Sequence, residues 1–396
     1  MNDKNLILHI GSPKTGTTAI QNFLYYNREK INSQGFYYPE KYSYPGHIRV
    51  QSVVFHTLFN VNYPYLMNKK SKYFKKFIET VNSNNIKNII ISYEGLSAGI
   101  LKGYSLSGSN PPTKEDLINN INDYVAVMNE ENVSAFKKFI EENFENIGSI
   151  QIIYYCRRQD LFFDSLYKEL LSQNILFSLE DFKDIYNIIL NCDHYSIIEI
   201  WSKIFGKDNI IVRPYEKCQL INGDIIDDFC STTGIDKTCL DEIQPQKSNI
   251  GWNNYSSYLW RLMQISDPSI SSNWAKYEYY RNQISQLKFE NKKTNPLLSP
   301  EERLAIIHKY DKSNSLLVKE FLKKNEGSLF KEEYPDLNES WESQVLNQEE
   351  IVKCCLSIQP DIFKWRIYAF AQKYLSFLKA DSKIKEILNR LYMKHI

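Results

Sequence analysis

The chain has 396 residues and a net charge of +1, with 43% hydrophobic and 24% charged residues. That length can bury a large core as one domain, or as one domain with an extension. The near-neutral charge argues against nucleic acid as a partner, because sequence-independent binders carry a clear basic excess.

The first apolar run, Leu6 to Ile10, reads as a buried strand. It is too short for a signal peptide or a membrane span, and no other stretch approaches about 18 apolar residues. With Met1 as the true start, the expected compartment is the cytoplasm. Seven cysteines without a C-x-x-C pair fit that reducing setting. They also argue against a disulfide framework or a cysteine zinc site.

The run leads into "GSPKTGTT", residues 11–18, and then into an amphipathic helix starting at Thr17 or Thr18. A glycine-rich turn between strand and helix aims several backbone N–H groups at an anion, and the helix dipole adds to the attraction. The amides from Lys14 to Thr18 are placed to cradle a phosphate, with Thr17 or Thr18 adding a hydroxyl. Lys14 would reach the bridging oxygen of a leaving phosphate. The ATP/GTP version of such a loop is G-x-x-x-x-G-K-[ST]. Gly11 and Gly16 keep that glycine spacing, but Thr17 and Thr18 follow the second glycine, and the lysine stands inside the loop.

Further along, "YPGHIRVQSVVFHTLF" carries His47 and His56. Asn88 to Ser92 reads as a second buried strand, and "NIIISYEGLSAG" places Glu94 just beyond its end. Residues 99–132, with "GYSLSGSNPPTKED", read as a loop-rich insertion. Phe136, Phe139, Ile140 and Phe144 repeat at helical spacing. Ile150 to Cys156 is a third strand, followed in "IQIIYYCRRQDLFFDSLYKEL" by Arg157 and Arg158. The apolar stripe of the next helix (Phe163, Leu166, Tyr167, Leu170) leaves Ser165 on the polar side with Lys168 and Ser172. An arginine at a strand end and a hydroxyl in the following helix can hold one phosphate from two sides. Asn209 to Val212 is a fourth strand. A second helical region begins near Asp241. In "LLSPEERLAIIHKY", Ser299 fits an N-cap, Pro300 the first helical position and Glu302 the capping box.

Strand, loop and helix repeated in this order predict a three-layer α/β domain on a central parallel sheet, with a helical C-terminal region. The expected division is a domain over 1–335 and a helical extension over 336–396. The stretch 361–396 is basic, which reads as a solvated face, or as a weak membrane-surface contact. In sheets of this kind ligands bind at the carboxyl ends of the strands.

"SPKTGTT" resembles the 5′-phosphosulfate-binding loop of the sulfotransferase superfamily, whose members use 3′-phosphoadenosine 5′-phosphosulfate (PAPS) and release adenosine 3′,5′-bisphosphate (PAP). Where that family usually has a bulky residue after the threonines, Ala19 stands here. The resemblance extends over residues 5–335. Two later segments, "IIVRPYEKCQLINGDIIDDFCSTTGI" and "LLSPEERLAIIHKYDKSNSLLVKEFLKKNEGSLF", are similar to a bacterial branch linked to sulfation of glycans. It implies a P-loop-type fold, sulfuryl transfer to a hydroxyl of a glycan, and no metal. It assigns nucleotide binding to Ser12, Lys14, Thr15, Gly16, Thr17 and Thr18. Arg157 and Ser165 would hold the 3′-phosphate, with Arg158 as a competing choice for the arginine. Glu94 is the first candidate for the base, since several branches carry a base at that strand end, and His47 and His56 are the alternatives. A divergent phosphate-loop kinase or NTPase, or a non-catalytic glycan-binding protein of the same fold, remains open at this point.

Overall fold

The computed structural model describes residues 3–39, 72–97, 100–101, 114–119, 125–126, 129–172, 175–189, 191–242, 253–289, 295–322, 327–343 and 345–358. The strands in it are β1 (Lys4–His9), β2 (Phe36–Tyr37), β3 (Asn88–Ser92), β4 (Ile100–Leu101), β5 (Val125–Ala126), β6 (Ile147–Cys156) and β7 (Ile210–Pro214). Five of them form one parallel sheet in the order β2-β3-β1-β6-β7. The protein is thus an α/β fold.

The near-continuous apolar runs have a direct cause in this sheet. Leu6 and Leu8 of β1 face one side, with Ile152 and Tyr154 of β6. They pack against Phe77 and Val81 of helix Lys72–Asn82, Phe136 and Ile140 of helix Glu130–Asn143, and Trp201 of helix His194–Phe205. Ile7, Ile153 and Tyr155 face the other side, against Ile20 and Phe23 of helix Thr17–Tyr26 and Phe229 of helix Ile225–Thr233. Both faces are covered, so successive side chains are all buried and no alternation remains. Each such side chain contributes about 1.5–3 kcal/mol of burial free energy.

The sheet order places the site. From β1 the chain moves out to β2 and returns to β3, then crosses to β6 and β7 on the opposite side of β1. The reversal of winding lies beside β1, and the carboxyl ends of β3, β1 and β6 are neighbours there.

The expected strands are present with adjusted ends, and Asn88–Ser92 keeps its expected bounds. β2 has no counterpart in the sequence reading, because two residues are too few to show a period. Parts of the expected insertion 99–132 are among the described residues. β4 and β5 pair antiparallel within it, and Lys114–Asn119 is helical. Pro300 opens helix Pro300–Lys309 as expected.

The chain divides into two compact units. The first comprises Met1–Leu166, Phe177–Lys247 and Pro300–Glu339 and contains the parallel sheet. The second comprises Tyr167–Leu176, Ser248–Ser299 and Ser340–Ile396. Within it, the buried Trp260 donates from Nε1 to the Leu171 carbonyl at 3.0 Å, and Tyr277 donates to the Ser172 carbonyl at 2.5 Å. The second unit therefore includes residues 248–299, which the sequence reading placed with the sheet. The basic stretch 361–396 lies outside the described residues. No described helix is long and apolar enough to cross a membrane.

Candidate functional site

The site is built around the turn that follows β1. Ile10 donates to the Ile153 carbonyl and Ser12 to the Tyr155 carbonyl, at 3.0 and 2.9 Å. The chain thus stays bound to β6 as far as Ser12, three residues beyond β1, before it turns. Inside the turn, the buried Thr15 hydroxyl donates to the Ser12 carbonyl at 2.6 Å and closes the loop on itself. Lys14 adopts φ 64° and Gly16 φ 79°, both in the left-handed region. A β-carbon at residue 16 would also come within 3.1 Å of Ile225 and 3.3 Å of Tyr215, so glycine is needed there for conformation and for space.

Gly16 is the N-cap of helix Thr17–Tyr26, and no side chain caps that helix. Its first-turn amides have no acceptor within the helix. These are the donors that an anion would engage. Of the two threonines, Thr17 is buried and Thr18 is exposed, so Thr18 is the one whose side chain reaches solvent.

Arg157 leaves the end of β6 and reaches this loop. Its Nη1 donates to the Lys14 carbonyl at 3.2 Å and to the Ser165 hydroxyl at 2.8 Å. Ser165 passes its own proton to the Leu161 carbonyl at 3.1 Å. The Tyr215 ring lies 6.0 Å from the guanidinium. Burial lowers the pKa of Arg157 from the usual arginine value. Among the described residues no carboxylate pairs with it, and its Nε and Nη2 have no protein acceptor. A partly buried guanidinium with three of its five N–H donors unused is suited to an anionic ligand.

Arg158 is occupied otherwise. It pairs with the buried Asp160 at 2.8 Å, and Asp160 also receives Arg303 at 2.9 Å. The remaining Arg158 donors meet the carbonyls of Glu332 and Glu333, both at 3.0 Å. That pairing makes Arg158 part of the framework and leaves Arg157 as the arginine of the site.

Glu94 opens the short helical turn Glu94–Leu96 just beyond β3. Its Oε2 accepts from Gln21 Nε2 at 2.8 Å. The Ser97 hydroxyl ties this turn to the loop by donating to the Gly11 carbonyl at 2.7 Å. The fold therefore brings Ser12, Lys14, Thr15, Gly16, Thr17, Thr18, Glu94, Arg157 and Ser165 to one edge of the sheet. His47 and His56 lie outside the described residues.

Four further residues support this edge, and the sequence reading gave none of them a role there. Gln21 and Ser97 are buried polar groups; Gln21 borders the apolar stripe of its helix, which was the available signal. The other two are histidines. His194 accepts from the Tyr154 hydroxyl at Nδ1, 2.7 Å away, and donates from Nε2 to the Arg157 carbonyl at 2.8 Å. The carbonyl can only accept, which fixes the tautomer. Burial pulls the pKa of His194 down to about 4. His9 is fully buried under the loop, with Nδ1 2.8 Å from the Ser92 hydroxyl and, among the described residues, no partner for Nε2. Burial lowers its pKa to about 3. Both imidazoles are neutral parts of the framework.

Comparison with known proteins yields little beyond this geometry. No family model matches the chain, and no solved structure matches it. An uncharacterized protein of Archaeoglobus fulgidus is 29% identical over 208 residues, which cover 52% of this chain and 54% of that protein. The chain thus spans about half the length of the curated relative it matches.

Proposed function

We propose that the protein is a sulfotransferase that moves a sulfuryl group from PAPS to a hydroxyl of a carbohydrate. The observation that carries this reading is Arg157. A phosphate loop alone would suit many nucleotides. A partly buried guanidinium with unused donors, hydrogen-bonded to that loop and to Ser165, suits a second anion, and the 3′-phosphate would supply one. The carbohydrate class rests on the resemblance of the later segments to glycan sulfotransferases.

PAPS brings an activated sulfuryl group attached to a phosphate that can leave. The residues of this chain do the rest by positioning and by electrostatic stabilisation. The amides opening helix Thr17–Tyr26 and the Lys14 ammonium stabilise the charge that grows on the leaving phosphate. Arg157 and Ser165 hold the other end of the nucleotide. Glu94 accepts the proton of the acceptor hydroxyl as the oxygen–sulfur bond forms and the sulfur–phosphate-oxygen bond breaks. The loop position of Lys14 gives it access to the bridging oxygen, which is the place where a sulfuryl donor needs a cation. None of these roles calls for a metal. Seven free cysteines accord with a cytoplasmic setting.

The test is transfer of labelled sulfate from PAPS to a panel of glycans, with and without EDTA. The expected result is labelled glycan in both conditions. Phosphoryl transfer from ATP–Mg²⁺ in place of sulfuryl transfer would replace this reading with a kinase.

A further inference from the structure

We infer that Gln21 is a positioning residue for the base: it fixes the carboxylate of Glu94 by donating one side-chain amide to two acceptors. The inference rests on the reading of Glu94 as the proton acceptor. Gln21 lies on helix Thr17–Tyr26, one turn beyond the loop, and is buried. Its Nε2 is 3.2 Å from the Ser92 carbonyl and 2.8 Å from Glu94 Oε2.

The first contact fixes the chemistry of the second. A backbone carbonyl only accepts, so the NH₂ end of the amide must face it, and the same NH₂ then meets the carboxylate. Its two hydrogens are thereby shared between strand β3 and the base. Glu94 receives a donor at one oxygen, Oε2, and among the described residues the other oxygen has no protein partner. A carboxylate held at one oxygen and open at the other is arranged to take a proton from a bound hydroxyl. Gln21 also rides on the helix whose first turn faces the anion. Base and leaving-group loop are thus registered through a single side chain. A carboxylate on a stem of two methylenes, free to rotate, would lose that register, and a misplacement of about 1 Å can cost about 100-fold in rate.

The test uses Gln21→Met, which keeps the volume and removes the donor, with Gln21→Ala as a second variant and Glu94→Gln for the cycle. In the full chain, the side-chain amide signal that disappears from the ¹⁵N–¹H spectrum of Gln21→Met is expected to shift in Glu94→Gln. With labelled PAPS and glycan acceptor, Gln21→Met is expected to lower kcat about 10- to 100-fold while the KM for PAPS stays within about twofold. In the Glu94→Gln background the same substitution should change kcat no further, because the group it positions is gone. An amide signal insensitive to Glu94→Gln overturns the inference, as does a Gln21→Met effect that multiplies in full with that of Glu94→Gln. A wild-type chain that fails to bind PAP would instead remove the proposed function, and the amide signal would still report whether Gln21 holds Glu94.

Discussion

At the scale of residues, the proposed site has groups that would meet the ligand and groups that hold them in place. Lys14 belongs to the first kind. Its backbone conformation is set by the turn, and in the proposed reaction its side chain serves the anion, so Lys14→Ala should fold normally. Loss of one donor to a developing charge commonly costs about 100- to 1,000-fold in turnover. Single-turnover assays of labelled PAPS should show that loss, and near-normal turnover would contradict the role. Glu94→Gln keeps the shape and the contact distance but removes the proton acceptor. It should retain PAP affinity and lose most turnover. If it instead turns over normally while His47→Ala or His56→Ala is inactive, the base is that histidine and Glu94 is structural. Arg157 and Arg158 are adjacent, with Arg157 the first choice in the sequence and Arg158 its competitor; the bond of Arg157 to Ser165 and the pairing of Arg158 with Asp160 separate them.

At the scale of elements, strand, turn and helix form one rigid piece whose tolerance can be measured. A β-carbon at Gly11 would lie 2.6 Å from His9 Nε2. The ring cannot retreat easily, because Tyr155 and Phe229 pack on it at 5.7 and 5.5 Å. Gly11→Ala should therefore destabilise the fold by about 1–3 kcal/mol, the usual cost of overpacking, as read from urea midpoints. An unchanged midpoint would contradict this packing. The link from Tyr154 through His194 to Arg157 gives a pH signature. An unfolded histidine takes up its proton near about pH 6.5, whereas His194 in the fold does so only near about 4. Its contribution is fully present above the unfolded value and fades as pH falls toward about 4. The loss is on the order of 3 kcal/mol. His194→Gln should show a shallower decline in stability between pH 7 and pH 4.5 than the parent chain. Parallel declines would place the acid sensitivity elsewhere.

These elements also show what the sequence could convey. The strands were legible because burial on both faces leaves unbroken apolar runs such as "IQIIYYC", and the loop because glycine, lysine and threonine have few other reasons to follow a strand in that order. β2 was not legible, since two residues carry no period. Gln21 and His194 were hidden for another reason. Each is a polar residue on a buried surface, and its partner lies 73 residues away for Gln21–Glu94 and 37 for His194–Arg157. Side-chain pairing across such separations leaves no local pattern.

At the scale of the whole molecule, one arrangement explains why the loop, Glu94 and Arg157 meet although they lie far apart in the chain. β3, β1 and β6 are adjacent and parallel, so the segments after each strand emerge at one edge. In the proposed function this edge holds a nucleotide at two anionic points. The most direct measurement is titration calorimetry of the full chain with PAP, adenosine 5′-phosphate and ATP–Mg²⁺, repeated with Arg157→Ala. PAP is expected to bind without magnesium and more tightly than either of the others. Arg157→Ala should weaken PAP by about 1.5–3 kcal/mol, the range for a hydrogen bond to a charged group, and leave adenosine 5′-phosphate nearly unchanged. Preference for ATP–Mg²⁺, or equal losses for both adenosine nucleotides in Arg157→Ala, would contradict that function.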